Sequence, residues 1–350
     1  MMKEVESLPS FRPHSLDEYV GQEEIKRKLR IALQAAKLRS EPLDHVLLAG
    51  PPGLGKTTLA YVIARELRKN IYITSGPVIE RGGDIAAILS SLEEGDVLFI
   101  DEIHRMSKPA EEVLYSALED FQVDVMIGKG PTARSVRIRL KPFTLIGATT
   151  RSGLLSPPLR NRFGMIFELD FYSVDELTKI VERACQLMNM HIEREAAQLI
   201  AQRSRGTPRT ALRLLKRVRD VATVRGEENI TPSTVLKTMD ILEIDSLGLD
   251  VMDRKILRTI IEIYEGGPVG LEALAATLNV EIDTLKEVYE PYLLRAGLLV
   301  RTSRGRAATD LAYQHLGYGS RVRGGLFDGY PAEPSEDKGK NCSGSLEGTS

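Results

Sequence analysis

The chain has 350 residues, enough for two or three domains of about 150 residues each. Its 47 Lys and Arg against 49 Asp and Glu leave a formal charge of −2, which excludes a basic nucleic-acid coat as a bulk property but leaves local basic patches open. At 42% hydrophobic and 27% charged it is neither disordered overall nor fibrous. Cys185 and Cys342 match no metal-ligand spacing or disulfide framework, which fits a reducing compartment. The segment Met1–Ser10 carries Lys3, Glu4 and Glu6 and lacks the apolar core of a signal peptide. No stretch approaches the roughly 18 apolar residues of a spanning helix. The expectation is a soluble, cytoplasmic protein.

Along the chain, HVLLAG (45–50), NIYIT (70–74), DVLFID (96–101), FTLIGATT (143–150) and MIFELDF (165–171) read as strands. Helical patterns such as Thr57–Arg68 and Asp84–Leu92 separate the first three. Apolar strands alternating with helices predict a parallel sheet covered on both faces, in a domain of residues 1–172. Within it, VDVMI and SVRIRL flank a polar turn with Gly128, Gly130 and Pro131, predicting a β-hairpin over 121–140. Its Val125, Met126 and Ile127 are either a satellite core or a docking edge. Residues 173–247 turn purely helical, with Ser173, Thr207-Pro208 and Thr231-Pro232 as helix starts and Cys185 on an apolar stripe. Residues 248–318 give a helix (Met252–Glu265), two more (Leu271–Leu278 and Asp283–Ala296) and two short strands around a Ser-Arg-Gly turn, a winged-helix pattern. The last 32 residues, 319–350, read as a disordered tail rich in Gly and Ser.

The strongest chemical signal is Gly50-Pro51-Pro52-Gly53-Leu54-Gly55-Lys56-Thr57 between a strand and a helix. Glycines let backbone N–H groups wrap a phosphate, and the helix start adds positive potential. Lys56 suits the β- and γ-phosphates, and the Thr57 hydroxyl suits a magnesium ion. The strand DVLFID ends in Asp101-Glu102: Asp101 can hold the metal through water, and Glu102 can act as general base. Thr149 and Thr150 end a further strand, where a hydroxyl can sense the γ-phosphate, although threonines suit any strand. Arg160 and Arg162 close a short helix; either could serve its own site, a neighbour's site or the helix end. Arg209 sits in a first helical turn, where a cation is mildly unfavourable without a phosphate partner. Arg301, Arg304 and Arg306 surround a glycine turn on the wing, a pattern suited to DNA phosphate contacts without base readout. The rest of the basic run from Arg203 to Arg219 reads as a solvated face, and His104 has no evident partner.

Together these residues resemble the AAA+ ATPases, with a Walker A (50–57), a Walker B (97–102), a sensor strand, an arginine-finger segment and a helical lid. The phrases DHVLLAGPPGLGKTTLA, GDVLFIDEIHR, LYSALEDFQVDVMIGKGP, GATTRSGLLSPPLRNRFG, RSRGTPR and EVYEPYLLRAGLLVRT-x-RGR are similar, more closely, to the RuvB branch-migration family. The likeness runs from residue 11 to 318. It implies an α/β AAA+ P-loop domain, a lid and a C-terminal winged helix, using ATP and Mg2+. It also implies that Gly53, Gly55 and Thr58 line the loop, and that Phe11, Arg12, Glu119, Asp120, Phe121 and Tyr172 contact nucleotide. Thr150 becomes the sensor, Arg162 the finger acting on a neighbour, and Arg209 the second sensor. Arg301 and Arg306 become the leading DNA contacts. The partners implied are RuvA, gripped through the 121–140 hairpin, the duplex arms of Holliday junctions, the RuvC resolvase indirectly, and further copies in a homohexamer. A DNA-binding initiator or loader using ATP as an assembly switch, and a nucleotide-sensing winged-helix regulator, are the competing functions.

Overall fold

A computed structural model describes residues 11–127 and 134–319. The expected turn at Gly128, Gly130 and Pro131, the side chains of Val125, Met126 and Ile127, the segment Met1–Ser10 and the tail from residue 320 lie outside the described residues. The chain divides into two compact units, Met1–Met252 and Asp253–Ser350.

The first unit opens with α1 (Glu23–Arg39), followed by β1 (Val46–Ala49), α2 (Lys56–Leu67), β2 (Ile71–Ser75), α3 (Gly82–Ser90), β3 (Val97–Asp101) and α4 (Lys108–Asp120). The hairpin β4 (Gln122–Ile127) and β5 (Arg134–Arg139) comes next, then β6 (Thr144–Thr149), α5 (Pro157–Arg160) and β7 (Met165–Glu168). Five of these strands form one parallel sheet in the order β2-β3-β6-β1-β7. Successive residues of a strand point to opposite faces, and here each face has its own core. Val46, Leu48, Val97, Phe99, Ile146 and Ala148 join α1, α2 and the helices that follow the sheet. Leu47, Leu98, Ile100 and Leu145 join α3, α4 and α5 on the other side. Two apolar faces explain why the inner strands are continuously apolar rather than alternating. The edge strands depart from the expected full coverage: Tyr72 and Ile73 of β2 and Ile166 of β7 are exposed, because an edge strand has a neighbour on one side only. Helix α1 lies outside the expected set; its apolar stripe of Ile25, Leu29, Leu33 and Ala36 is embedded in a strongly charged segment. The β4–β5 pair is antiparallel, with Gln122 opposite Arg139 and Ile127 opposite Arg134, the hairpin expected there.

Helices α6 (Val174–Leu187), α7 (Arg194–Gln202), α8 (Pro208–Val224) and α9 (Pro232–Ile241) complete this unit, with β8 (His191–Ile192) and β9 (Asn229–Ile230) bridging in parallel. The expected starts are real caps. Ser173 accepts the Glu176 N–H while the Glu176 carboxylate accepts the Ser173 N–H. Thr207 and Thr231 accept from Thr210 and Thr234. Cys185 is buried in the core.

The second unit begins within α10 (Val251–Glu262) and continues with α11 (Leu271–Leu278), α12 (Ile282–Thr284), a π-helical turn (Leu285–Tyr289) and α13 (Glu290–Arg295). Strands β10 (Leu299–Thr302) and β11 (Gly305–Ala308) pair antiparallel as the wing, and α14 (Asp310–His315) follows. One helix was expected over 283–296; the widened turn inside it precedes Pro291. Proline cannot donate to the carbonyl four residues back and its ring collides with it, and a wider turn relieves the clash.

Removing one cap tests how far the lid helices depend on local signals. Ser173→Ala should cost about 1 kcal/mol, read as a lower midpoint in denaturant unfolding of the 350-residue protein.

Candidate active site and wing

The phosphate loop leaves the carboxyl end of β1 and delivers Lys56, Thr57 and Thr58 into the first turn of α2. Gly53 and Gly55 both have positive φ. At Gly55 (φ 97°) a side chain would be strained and would also stand 2.9 Å from the Tyr19 hydroxyl. Tyr172 closes the same wall: its hydroxyl lies 3.2 Å from the Leu54 carbonyl and 3.1 Å from the Tyr19 hydroxyl. Tyr19 is a loop-supporting residue that the sequence did not single out, since a lone tyrosine in a polar stretch carries no motif. The backbone N–H of Arg209 donates to the Gly53 carbonyl at 3.3 Å, so α8 starts against the loop. Phe11 lies under the Lys216 ammonium of α8 (5.5 Å), and the Arg12 guanidinium lies over the Tyr61 ring of α2 (4.2 Å). Of the expected nucleotide contacts, Tyr172 and Arg209 therefore border the loop, Arg12 lies against α2 and Phe11 against α8.

Lys56 is buried, and its ammonium donates to the carbonyls of Gly50 (2.7 Å) and Pro51 (2.9 Å). Burial pushes its pKa down to about 8, opposed by the negative charges of Asp101 and Glu102 and assisted by Arg209. A buried cation facing two carboxylates across a cradle of glycines suits a nucleotide triphosphate with its divalent cation. Thr57 and Asp101 have the oxygen donors that a magnesium ion prefers. Among the described residues no cluster of three His, Cys, Asp or Glu could hold a metal by itself.

Sheet order explains how the carboxylates meet the sensor strand. β6 lies between β1 and β3, so Thr149 and Thr150 stand between the phosphate loop and Asp101-Glu102. The two threonines are not equivalent. Thr149 is fully buried, and its hydroxyl accepts the Arg151 N–H (3.0 Å) and lies 2.9 Å from His104 Nδ1. Thr150 donates to Glu102 Oε2 at 3.2 Å. Thr150, the expected sensor, is thus the threonine whose hydroxyl reaches the Glu102 carboxylate. His104, without a partner in the sequence, has its Nδ1 3.4 Å from Glu102 Oε2, and burial lowers its pKa against the opposing charge of Glu102.

Glu102 adopts the left-handed conformation (φ 48°), a strained state that structures retain mainly where function needs it. Its backbone passes so close to Gly76 that a Cβ there would sit 2.3 Å from the Glu102 carbonyl oxygen. Gly76 follows β2 and carries no chemistry of its own, so only the close approach identifies it.

Arg162, Glu119, Asp120 and Phe121 form a second group. Arg162 lies beyond α5 rather than closing it. Its guanidinium donates to Glu119 (2.7 Å) and to the carbonyls of Pro158 (2.8 Å) and Tyr115 (3.2 Å), and lies over the Tyr115 ring. Phe121 packs edge-on against Phe143 and near His45. His45 precedes β1 and also contacts the Leu118 carbonyl at 3.3 Å. The end of α4 therefore sits at the amino end of β1, whereas the phosphate loop leaves its carboxyl end. Arg162 likewise precedes β7, which runs parallel to β1. The structure does not bring Glu119, Asp120, Phe121 or Arg162 to the chain's own phosphate loop.

On the wing, Arg301 and Arg306 face each other directly across β10 and β11. Two like charges so placed repel, but Glu290 Oε1 accepts from Nε of both at 2.8 Å. Glu290 is buried (3% exposed). Burial alone would raise its pKa; hydrogen bonds from Arg301 and Arg306 outweigh burial and hold it below the ordinary value of 4.5. Arg304, at the exposed turn, makes no side-chain ion pair among the described residues. The three wing arginines thus divide into a braced pair and a free tip.

Two outcomes follow from this geometry. Gly76→Ala should displace Glu102 and reduce nucleotide turnover by about 100-fold, while fluorescence titration shows unchanged nucleotide affinity. Because its folded-state pKa is depressed, Glu290 stabilises the second unit fully above pH 4.5 and loses that contribution as pH falls through the lower value. Glu290→Gln should therefore lose about 2 kcal/mol at pH 7, and thermal melts should show the gap to the parent narrowing below pH 4.5.

Comparison with known proteins covers residues 11–169, 172–245 and 246–317. Residues 11–169 match the family described as the Holliday junction DNA helicase RuvB P-loop domain. Residues 172–245 match the RuvB AAA lid domain, and 246–317 the RuvB C-terminal winged helix domain. The Holliday junction branch migration complex subunit RuvB of Pseudothermotoga lettingae is 74% identical over 321 residues, covering 92% of this chain and 94% of that protein. Its counterpart in Thermotoga maritima is 68% identical over 307 residues, covering 88% of this chain and 92% of that protein. The solved Thermotoga maritima RuvB Holliday junction branch migration motor superimposes with a TM-score of 0.81 at 64% identity, covering 88% of this chain and 99% of that one. With its P-loop sheet, its lid and its winged helix all matched, the chain belongs to the RuvB family of AAA+ proteins.

Proposed function

We propose that this protein is an ATP-hydrolysing motor subunit that drives branch migration of Holliday junctions in recombination and repair. The observation that carries the reading is the separation of Arg162 from its own phosphate loop, at opposite ends of the central strands. An arginine so placed serves a neighbouring copy's nucleotide, which calls for a closed ring; the arrangement fits a homohexamer. In this reading residues 1–172 are the ATPase domain, 173–247 the lid and 248–318 the DNA-binding winged helix.

Gly53, Gly55, Lys56, Thr57 and Thr58 hold the triphosphate, with Phe11, Arg12 and Tyr172 toward the nucleoside. Thr57 and Asp101 are the residues that would hold Mg2+, which supplies charge neutralisation at the phosphates when bound. Glu102 accepts a proton from the attacking water as the water oxygen bonds to the γ-phosphorus. The β–γ bridging bond breaks, giving ADP and phosphate. Thr150 orients the same carboxylate, and Arg209 brings the lid to the γ-phosphate. The neighbour's Arg162, with Glu119, Asp120 and Phe121 beside it, stabilises the charge that develops on the transferred group.

Arg301, Arg304 and Arg306 contact the phosphates of duplex arms without reading bases. The β4–β5 hairpin, over 121–140, is the surface for RuvA, and RuvC is met only through the shared junction. Among the described residues no helix is long and apolar enough to cross a membrane, and the proposed location is the cytoplasm.

Mixing two defective proteins tests the shared site. Lys56→Ala and Arg162→Ala should each lose about 10³-fold in junction-stimulated ATPase activity, with Arg162→Ala still binding nucleotide. Mixed in equal amounts with RuvA and a synthetic junction, they should regain measurable hydrolysis, because a Lys56→Ala copy can lend Arg162 to its neighbour. Normal turnover by Arg162→Ala alone, or no recovery on mixing while both variants enter rings, would overturn the reading.

A further inference from the structure

His104 is a buried titratable side chain beside the proposed catalytic carboxylate, and the chemistry above leaves it without a role. The geometry points to His104 as a positioning residue that, with Thr150, pins one oxygen of Glu102 and leaves the other free to accept the water proton. This inference rests on the reading of Glu102 as general base.

The contacts at Glu102 fall on a single atom. Thr150 Oγ1 donates to Oε2 at 3.2 Å, and His104 Nδ1 lies 3.4 Å from the same Oε2. Among the described residues Oε1 has no hydrogen-bond partner. The backbone of Glu102 is left-handed and lies close against Gly76. Its side chain has three rotatable bonds, and among the described residues its carboxylate makes polar contacts through Oε2. A general base works when its lone pair is held within reach of the proton it removes.

The position of the ring proton follows from what surrounds it. Thr149 Oγ1 already accepts the Arg151 N–H at 3.0 Å and lies 2.9 Å from His104 Nδ1. With the proton on Nε2, the Nδ1 lone pair would face the Glu102 carboxylate oxygen, a repulsive arrangement. With the proton on Nδ1, the N–H donates to Thr149 Oγ1 and its positive end lies 3.4 Å from Glu102 Oε2, and both contacts are favourable. The ring is 5% exposed in its side chain, so water does not compete for that proton. His104 thereby links the end of β3, which carries Glu102, to the end of β6, which carries Thr149 and Thr150.

The test uses the difference between the two ring nitrogens. An asparagine amide reaches the Nδ1 position and a glutamine amide the Nε2 position. We expect His104→Ala and His104→Gln to lower kcat by about tenfold or more, with KM and the dissociation constant for a fluorescent ADP analogue within about twofold of the parent. His104→Asn should stay within about threefold of the parent kcat. Parental kcat in His104→Ala, or an Asn variant that falls as far as Gln, would overturn the proposal. Should the Ala variant not fold, as judged by its thermal melt, the Asn and Gln pair decides alone. Glu102→Gln measured alongside separates the two readings. If it is inactive while His104→Ala is fully active, the general base stands and the positioning role falls. If it turns over normally, both fall.

Discussion

Strand β1 is four residues long, about 13 Å, and buried on both faces, yet its two ends carry different chemistry. From its carboxyl end the chain turns into the glycine loop, where open backbone geometry and a helix start favour an anion. At its amino end, His45 packs among the residues that close α4, next to the group that presents Arg162. A parallel sheet segregates its functions in this way because every strand points in the same direction. Loops at one edge collect phosphate chemistry, and segments at the other edge are barred from it by the core itself. No side chain can cross two layers of packed Leu, Ile and Phe. On the proposed function, completing the site falls to a second molecule, and the covered core of the sheet is the reason.

Within the phosphate edge, electrostatics and strain are matched. Lys56 is buried at a cost that its pKa records, and it is held charged by the loop carbonyls and by Asp101 and Glu102 opposite. Glu102 occupies a backbone state that a glutamate rarely adopts, and Gly76 leaves the room it needs. Around it, Thr149, Thr150 and His104 form a small polar network in which the described contacts fall on one carboxylate oxygen. The fold itself aims these polar groups toward one another.

Much of this was legible from residue order. The strands, the loop from Gly50 to Thr57, the Asp101-Glu102 pair and the capped lid helices are local features, each spelled by neighbouring residues. The wing was equally legible, since a hairpin around Ser-Arg-Gly needs only a short stretch. What escaped was built from pairs far apart in sequence. His104 meets Thr149 across 45 positions, Arg162 meets Glu119 across 43, and Glu290 braces Arg301 and Arg306 across 11 and 16. None of these separations is a helical or strand period, so no pattern announces them. Helix α1 was hidden for another reason: its apolar stripe is thin, and charged residues surround it. The π turn before Pro291 was hidden because the sequence shows the proline but not the way the helix yields to it.

On the proposed function, the braced pair on the wing limits how firmly one subunit holds DNA. Three guanidiniums and one carboxylate leave two net positive charges where the arginine count suggests three. Duplex binding strengthens as condensed counterions are released, and log affinity falls with log salt by roughly 0.9 for each phosphate neutralised. On the proposed DNA contact, Glu290 lowers the number of ions a single wing displaces, which makes each contact shallow and easily reversed. On the proposed function, a track held by many weak, sequence-blind grips is one that a motor can release without a large barrier at every step.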